Sequence, residues 1–120
     1  MQKVLVVEDD KLNYKLFYDL LAIKHCAVIL SQDGYEIVDF VKKEKPSLIL
    51  MDIQLKVVSG ITLIKSLKSD IITQNIPIVA VSASGIQQDK ELVMKTGCEI
   101  YLAKPFDISD FYNIINMFIR

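Results

Sequence analysis

The chain has a single histidine, two cysteines, no strong excess of either charge and no long apolar run. Each shortage excludes something. A membrane-spanning helix needs roughly 20 consecutive apolar residues, and no run approaches that. No signal-peptide pattern precedes the first apolar run either, so a cytoplasmic protein is expected. The net charge is −1, with lysine and arginine spread along the chain rather than clustered. That argues against nucleic acid or an anionic membrane as the main partner. Cys26 and Cys98 are far apart in apolar segments, which reads as two buried reduced thiols rather than a disulfide or metal pair. His25 stands alone between a predicted helix and a predicted strand and reads as a surface or helix-end residue. Internal repeats, low-complexity tracts and linker-like stretches are also missing.

What is present is enough to build a core. Apolar residues make up 52% of the sequence, too many for a disordered acidic tail. A length of 120 residues is that of one domain, so a single domain over 1–120 with no effector domain attached is expected. A domain of this size buries roughly two thirds of its unfolded surface and needs no staples. Runs rich in Val, Ile and Leu predict strands near 3–7, 26–30, 48–51, 77–81 and 99–102. They lack strict alternation, the mark of strands covered on both faces. Helices are predicted near 11–24, 34–44, 59–69, 86–95 and 107–119. Leu12, Leu16, Phe17, Leu20 and Leu21 form an apolar stripe in the first, and Ile108, Phe111, Ile115 and Phe118 in the last. Asp33 with Glu36, and Asp107 with Asp110, resemble capping boxes, and Ser59 precedes the third helix. Gly97 reads as the residue that ends the fourth helix. Pro46 and Pro77 precede strands, where a missing N–H does least harm. Strict strand–helix alternation implies a parallel sheet with right-handed crossovers and helices on both faces, a three-layer α/β sandwich.

The polar residues at the ends of the apolar runs carry the chemistry. Val4–Val7 ends in Glu8 and Asp9, Leu48–Met51 in Asp52, Ile78–Val81 in Ser82, and Ile100–Ala103 in Lys104. In an open parallel sheet, ligands bind outside the carboxyl ends of the strands, so these groups would meet at one edge. Two carboxylates about 4 Å apart repel by roughly 4 kcal/mol at an effective dielectric near 20. Such a cluster is kept for a cation or takes up protons. Few, hard, water-open oxygen ligands suit Mg²⁺. The alternative is that Glu8 and Asp9 only cap the first helix, with Asp10 the best candidate for the cap. Asp52 is either a strand-end residue or a nucleophile toward phosphorus. Lys104 and Ser82 offer an amine and a hydroxyl to the charge that phosphoryl transfer spreads over three oxygens.

With these residues in view, the whole chain resembles a receiver domain of the two-component response regulators. The resemblance lies in VLVVEDD (Val4–Asp10), LILMDIQLKVVSG (Leu48–Gly60), IPIVAVSA (Ile76–Ala83) and GCEIYLAKP (Gly97–Pro105). All four in this order at this spacing are specific. Within the family the chain is similar to stand-alone cell-division regulators of the DivK type. The resemblance implies a flavodoxin-like strand order 2-1-3-4-5. It implies that Asp52 accepts a phosphoryl group from a phosphohistidine of another protein. It implies Mg²⁺ held by Asp9, Asp52 and the backbone carbonyl of Gln54, with Glu8 acting mainly through bound water. Lys104 would pair with the phosphoryl group and Ser82 would move to meet it. Tyr101 would turn inward as the aromatic switch. Gln54 and Ser84 sit where the family tunes hydrolysis of the phosphoryl group. With His25 isolated, the donor must be a separate histidine kinase or phosphotransfer protein. Output would pass to a downstream partner through the fourth helix, fifth strand and fifth helix.

Two departures matter. Lys56 stands where such proteins usually carry proline, which predicts a looser loop around Gln54 and puts Mg²⁺ affinity in question. Ser82 replaces the commoner threonine and loses a methyl group. Tyr14, Tyr18 and Tyr35 read as surface or partner-facing positions. Two other functions compete with the switch: a pseudo-receiver that binds partners without phosphorylation, and an Asp-nucleophile phosphatase. The latter usually carries D-x-D after its first strand, where this chain has Glu8-Asp9-Asp10.

Overall fold

The computed structural model describes residues 2–83 and 87–119. Five strands, β1 (Lys3–Val7), β2 (Ala27–Ser31), β3 (Leu48–Asp52), β4 (Ile78–Ser82) and β5 (Ile100–Ala103), alternate with five helices. The helices are α1 (Lys11–Ile23), α2 (Ile37–Glu44), α3 (Gly60–Ser69), α4 (Gln87–Met94) and α5 (Ile108–Ile115). All strand pairs are parallel, in the order β2-β1-β3-β4-β5. This is the expected three-layer α/β sandwich with the flavodoxin-like order.

Alternate residues of each central strand feed two separate cores. Leu5, Val7, Ile49, Met51, Ile78 and Ala80 face Ile37, Val41, Leu63, Ile64, Leu67 and Val93 of α2, α3 and α4. Val4, Val6, Leu48, Leu50, Val79 and Val81 face Phe17, Leu20, Leu21, Phe111 and Ile115 of α1 and α5. Because both faces are covered, the strands read as unbroken apolar runs rather than alternating ones. Each fully buried side chain of this size contributes roughly 1.5–3 kcal/mol. Phe17, Phe106 and Phe111 add stacked and tilted ring contacts with centroids 5.6–6.0 Å apart.

The helix signals held in part. Asp10 is the cap of α1: its Oδ1 accepts from the N–H groups of Leu12 and Asn13 at 2.9 and 3.1 Å. Ser59 caps α3 through the Ile61 N–H. Gly97 adopts a φ of 94° after α4, a conformation that costs glycine little. The Asp33–Glu36 box does not form. Gly34 turns the chain with a φ of 74°, Asp33 accepts from the Tyr35 N–H, and Glu36 enters α2 in a left-handed conformation. Asp107 stands at the start of α5 without a side-chain cap bond, and the helix proper ends at Ile115. The α1 stripe is also narrower than periodicity predicts. Phe17, Leu20 and Leu21 are buried, but Leu12 and Leu16 are exposed, as is Ile108 of α5. Spacing alone puts these three on the inner face, but the fold leaves them exposed. His25 is exposed at the end of α1, and both cysteines are free thiols.

One ion pair is built into the frame. Lys68 Nζ lies 2.9 Å from both Glu99 carboxylate oxygens and donates to the carbonyls of Gln74 and Ile76 at 3.1 Å. Glu99 Oε1 also accepts from the Ile78 N–H at 2.7 Å, which ties α3 to the starts of β4 and β5. Lys68→Met strands that carboxylate and two carbonyls. It is expected to lower the unfolding free energy by about 2 kcal/mol. Urea denaturation measures this, and an unmoved midpoint would contradict it.

Candidate functional site

The parallel register brings the strand ends level. Val7 pairs with Met51, Met51 with Ala80, and Ser82 with Ala103. The residues just past these pairs therefore share one edge. Glu8 is fixed there by its N–H donating to the Ser31 carbonyl at 3.1 Å, and Lys104 by its N–H donating to the Ser82 carbonyl at 2.8 Å. One carboxylate oxygen each from Glu8, Asp9 and Asp52 lies within 4.8 Å of the others. A cleft of about 230 Å³ opens over them, lined among others by Asn13, Gln54, Ala83 and Lys104. The sheet thus brings Glu8, Asp9, Asp52, Gln54 and Lys104 to one cleft, with Ser82 joined to it through Gln54. Since Asp10 alone supplies the α1 cap, Glu8 and Asp9 are left for the cleft.

The electrostatics are unfavourable without a ligand. Glu8 is 2% exposed and Asp52 5%. Lys104 Nζ reaches Glu8 Oε1 at 3.4 Å. Burial, then a shared hydrogen bond and charge repulsion with Asp52, push the Glu8 carboxyl up from 4.5 to about 7. Lys104 and the Asp10 N–H oppose that rise without cancelling it. Buried, close-set carboxylates resist ionisation, and a bound cation would relieve them.

The loop after β3 is tied down at three points. The Gln54 N–H donates to Asp52 Oδ1 at 3.1 Å and fixes the carboxylate plane. The Lys56 N–H donates to Asp9 Oδ2 at 2.7 Å. The Gly60 N–H donates to the Ile53 carbonyl at 3.0 Å. The expectation of a loose loop at Lys56 is corrected by the second of these bonds. A proline would have no N–H to give, so lysine here adds a tether that proline would lack.

Tyr101 is half-buried and packs against the core cluster beneath α2, α3 and α4, outside the cleft lining. Ser84 lies outside the described residues. Two contributions escaped the sequence reading. The Gln54 side chain crosses from the β3 loop to the end of β4, donating to Ser82 Oγ at 2.8 Å and accepting from the Ala83 N–H at 2.9 Å. Gly60 lies against the backbone of Asp52, where a Cβ would come within 2.3 Å of the Asp52 carbonyl oxygen. Neither has a signal in composition or spacing, because both depend on close approach of segments far apart in the fold.

The sequence model of the response regulator receiver domain matches residues 4–116. The chain belongs to the response regulator receiver family. It is 39% identical over 118 residues to the polar-differentiation response regulator DivK of Brucella anthropi, covering 98% of this chain and 96% of that one. DivK of Brucella ovis matches at the same identity and coverage. Among solved structures, it is similar to the receiver domain of the sensor histidine kinase PA1611 from Pseudomonas aeruginosa, solved with a magnesium ion coordinated in its active-site cleft. That match has a TM-score of 0.88 at 29% identity and covers 98% of this chain and 96% of the other. A putative response regulator from Chloroflexus aurantiacus superimposes with a TM-score of 0.89 at 27% identity, over 99% and 98% of the two chains. This receiver domain is thus a member of a signalling family. Among its described residues no helix is long and apolar enough to cross a membrane.

Proposed function

We propose that this receiver domain is a phosphorylation switch whose acceptor is Asp52. One observation carries the reading: a buried aspartate at a strand end, within 4.8 Å of two further carboxylates, in a cleft that also holds Lys104. The site fits a magnesium ion. Its donors are hard oxygens, one side is open to water, and burial together with the neighbouring Asp52 carboxylate pushes the Glu8 carboxyl up to about 7, a cost that a cation would relieve. Asp9, Asp52 and the Gln54 carbonyl would hold it, with Glu8 acting through water. When bound, the ion neutralises phosphoryl oxygens and the carboxylates together.

The chain's own residues do the rest. An Asp52 oxygen attacks the phosphorus of a phosphohistidine on a separate kinase or phosphotransfer protein. The P–N bond breaks and its electron pair returns to the imidazole. The Gln54 N–H orients the nucleophile. Lys104, leaving Glu8, meets the charge on the phosphoryl oxygens, and Ser82 turns to donate to one of them. The new group adds nearly two negative charges and three strong acceptors. Tyr101 follows Ser82 inward, and a partner that prefers one arrangement reads the state on the α4–β5–α5 face. A partner shifts that equilibrium only by its differential affinity for the two states. Exposed Leu92 and Ile108, on α4 and α5, support a contact surface there. The protein acts as a cytoplasmic signalling component rather than a turnover enzyme, in cell division or in polar differentiation, the process named for the DivK relatives.

Incubation with acetyl phosphate and Mg²⁺ tests this. The expected product is an acid-stable, hydroxylamine-labile label that disappears in Asp52→Ala. A label that survives that substitution, or none in the wild type, overturns the reading. Turnover of p-nitrophenyl phosphate would favour a phosphatase instead.

A further inference from the structure

Gln54 touches both sides of the cleft through different atoms. Its backbone N–H holds Asp52 Oδ1 at 3.1 Å. Its carboxamide, one side chain further out, holds the end of β4 twice: Nε2 donates to Ser82 Oγ at 2.8 Å, and Oε1 accepts from the Ala83 N–H at 2.9 Å. The orientation of the carboxamide is not arbitrary. The Ala83 N–H can only donate, so the amide oxygen must face it and the amide nitrogen must face Ser82. Ser82 is 1% exposed, so solvent does not replace the carboxamide easily there. Ala83 and Gln54 both line the cleft that contains Asp52 and Lys104.

A phosphoryl group on Asp52 would bring three acceptor oxygens into that cleft. The Ala83 N–H, which borders that cleft, is a single donor that a phosphoryl oxygen would take, and the carboxamide oxygen occupies it, while Ser82 Oγ accepts from the carboxamide nitrogen. We infer that the Gln54 side chain is a latch: it holds Ser82 and Ala83 in the unphosphorylated arrangement, and it must release the Ala83 N–H and let Ser82 turn away before they can serve the phosphoryl group. This rests on the reading of Asp52 as the acceptor. Gln54 is then a positioning residue that sets the resting equilibrium of the switch. Two neutral hydrogen bonds given up on switching correspond to a bias of about tenfold. The bonds are made only in the resting state, so their loss appears wholly as a shift in population.

The test uses beryllofluoride with Mg²⁺ as the phosphoryl mimic, titrated into wild type, Gln54→Met and Gln54→Asn. Binding is read from backbone amide resonances. Methionine keeps the length and loses the polar atoms. Asparagine keeps the carboxamide and is one methylene too short to span both partners. Both variants are expected to bind beryllofluoride about tenfold more tightly than wild type. In the unligated protein, the Ala83 amide should exchange faster and shift in both variants. In the bound protein, its resonance should coincide with that of wild type, which a general loss of structure would not reproduce. Variants that bind equally or more weakly overturn the latch alone. No binding by wild type and variants alike overturns the acceptor reading and the latch with it.

Discussion

Asp52→Asn is expected to abolish phosphorylation and, at pH 7.5 without divalent cation, to make the protein more stable by about 2 kcal/mol. The two effects share a cause. Asp52 is 5% exposed beside Glu8, itself 2% exposed, and the pair is kept for what it binds rather than for folding. Burial first, and then the hydrogen bond and repulsion from Asp52, raise the Glu8 carboxyl from 4.5 to about 7. A carboxyl raised in the folded state binds more protons there than in the unfolded chain. Its contribution to stability is therefore full below about pH 4.5 and is lost as pH rises through about 7. Asparagine removes the charge part of that rise and leaves the burial part. The advantage of Asp52→Asn should accordingly be small at pH 4.5 and grow toward neutrality. Millimolar Mg²⁺ should shrink it again by stabilising the wild type, since a ligand bound only to the folded state adds to its stability. Thermal unfolding of both proteins at several pH values, with and without Mg²⁺, measures all three. A variant less stable than wild type in chelator at pH 7.5 would refute the account.

Gly60→Ala is expected to cost about 3–4 kcal/mol and to lower the melting temperature by about 10–15 °C. At an ordinary helical position the same change stabilises by up to ~1 kcal/mol. The sign reverses here because the new methyl would lie 2.3 Å from the Asp52 carbonyl oxygen and 2.8 Å from the Ile53 Cα. These are backbone atoms of the strand end and cannot swing aside as a side-chain tip can. Relief requires that the start of α3 move away from β3, which also breaks the Gly60 N–H bond to Ile53 and displaces the acceptor loop. The variant should therefore lose Mg²⁺ affinity along with stability. Calorimetry with a Mg²⁺ titration checks both, and wild-type stability would show that the contact is relieved at no cost.

These two residues also mark what can be read from a linear chain. Asp52 is conspicuous because a carboxylate ends an apolar run that otherwise says buried strand. The same contrast marks Glu8, Asp9, Ser82 and Lys104. Gly60 is one small residue at the start of a helix, and its necessity appears only when α3 is laid against the end of β3. Lys56 reads as a departure from the family and suggests slackness. Its N–H donates to Asp9 instead, and no side-chain pattern announces a backbone donor. Leu12 and Leu16 fall on the apolar stripe by spacing yet project outward, because helix periodicity gives a direction and not the extent of the surface beneath. The Asp33–Glu36 pair matches a cap in spacing, but the positive φ of Gly34 and Glu36 takes the chain elsewhere.

The order of strands and helices, the two-faced cores and the identity of the polar residues at the strand ends follow from the sequence itself. Hydrophobic pattern and turn chemistry are local, and each is written within a few residues. Tertiary structure alone decided how close the three carboxylates stand, that burial and Asp52 push the Glu8 carboxyl up to about 7, and that Gln54 bridges the acceptor loop to Ser82 and Ala83. Those are properties of distance between segments far apart along the chain, and distance is set by the registered sheet and the packing of helices on it.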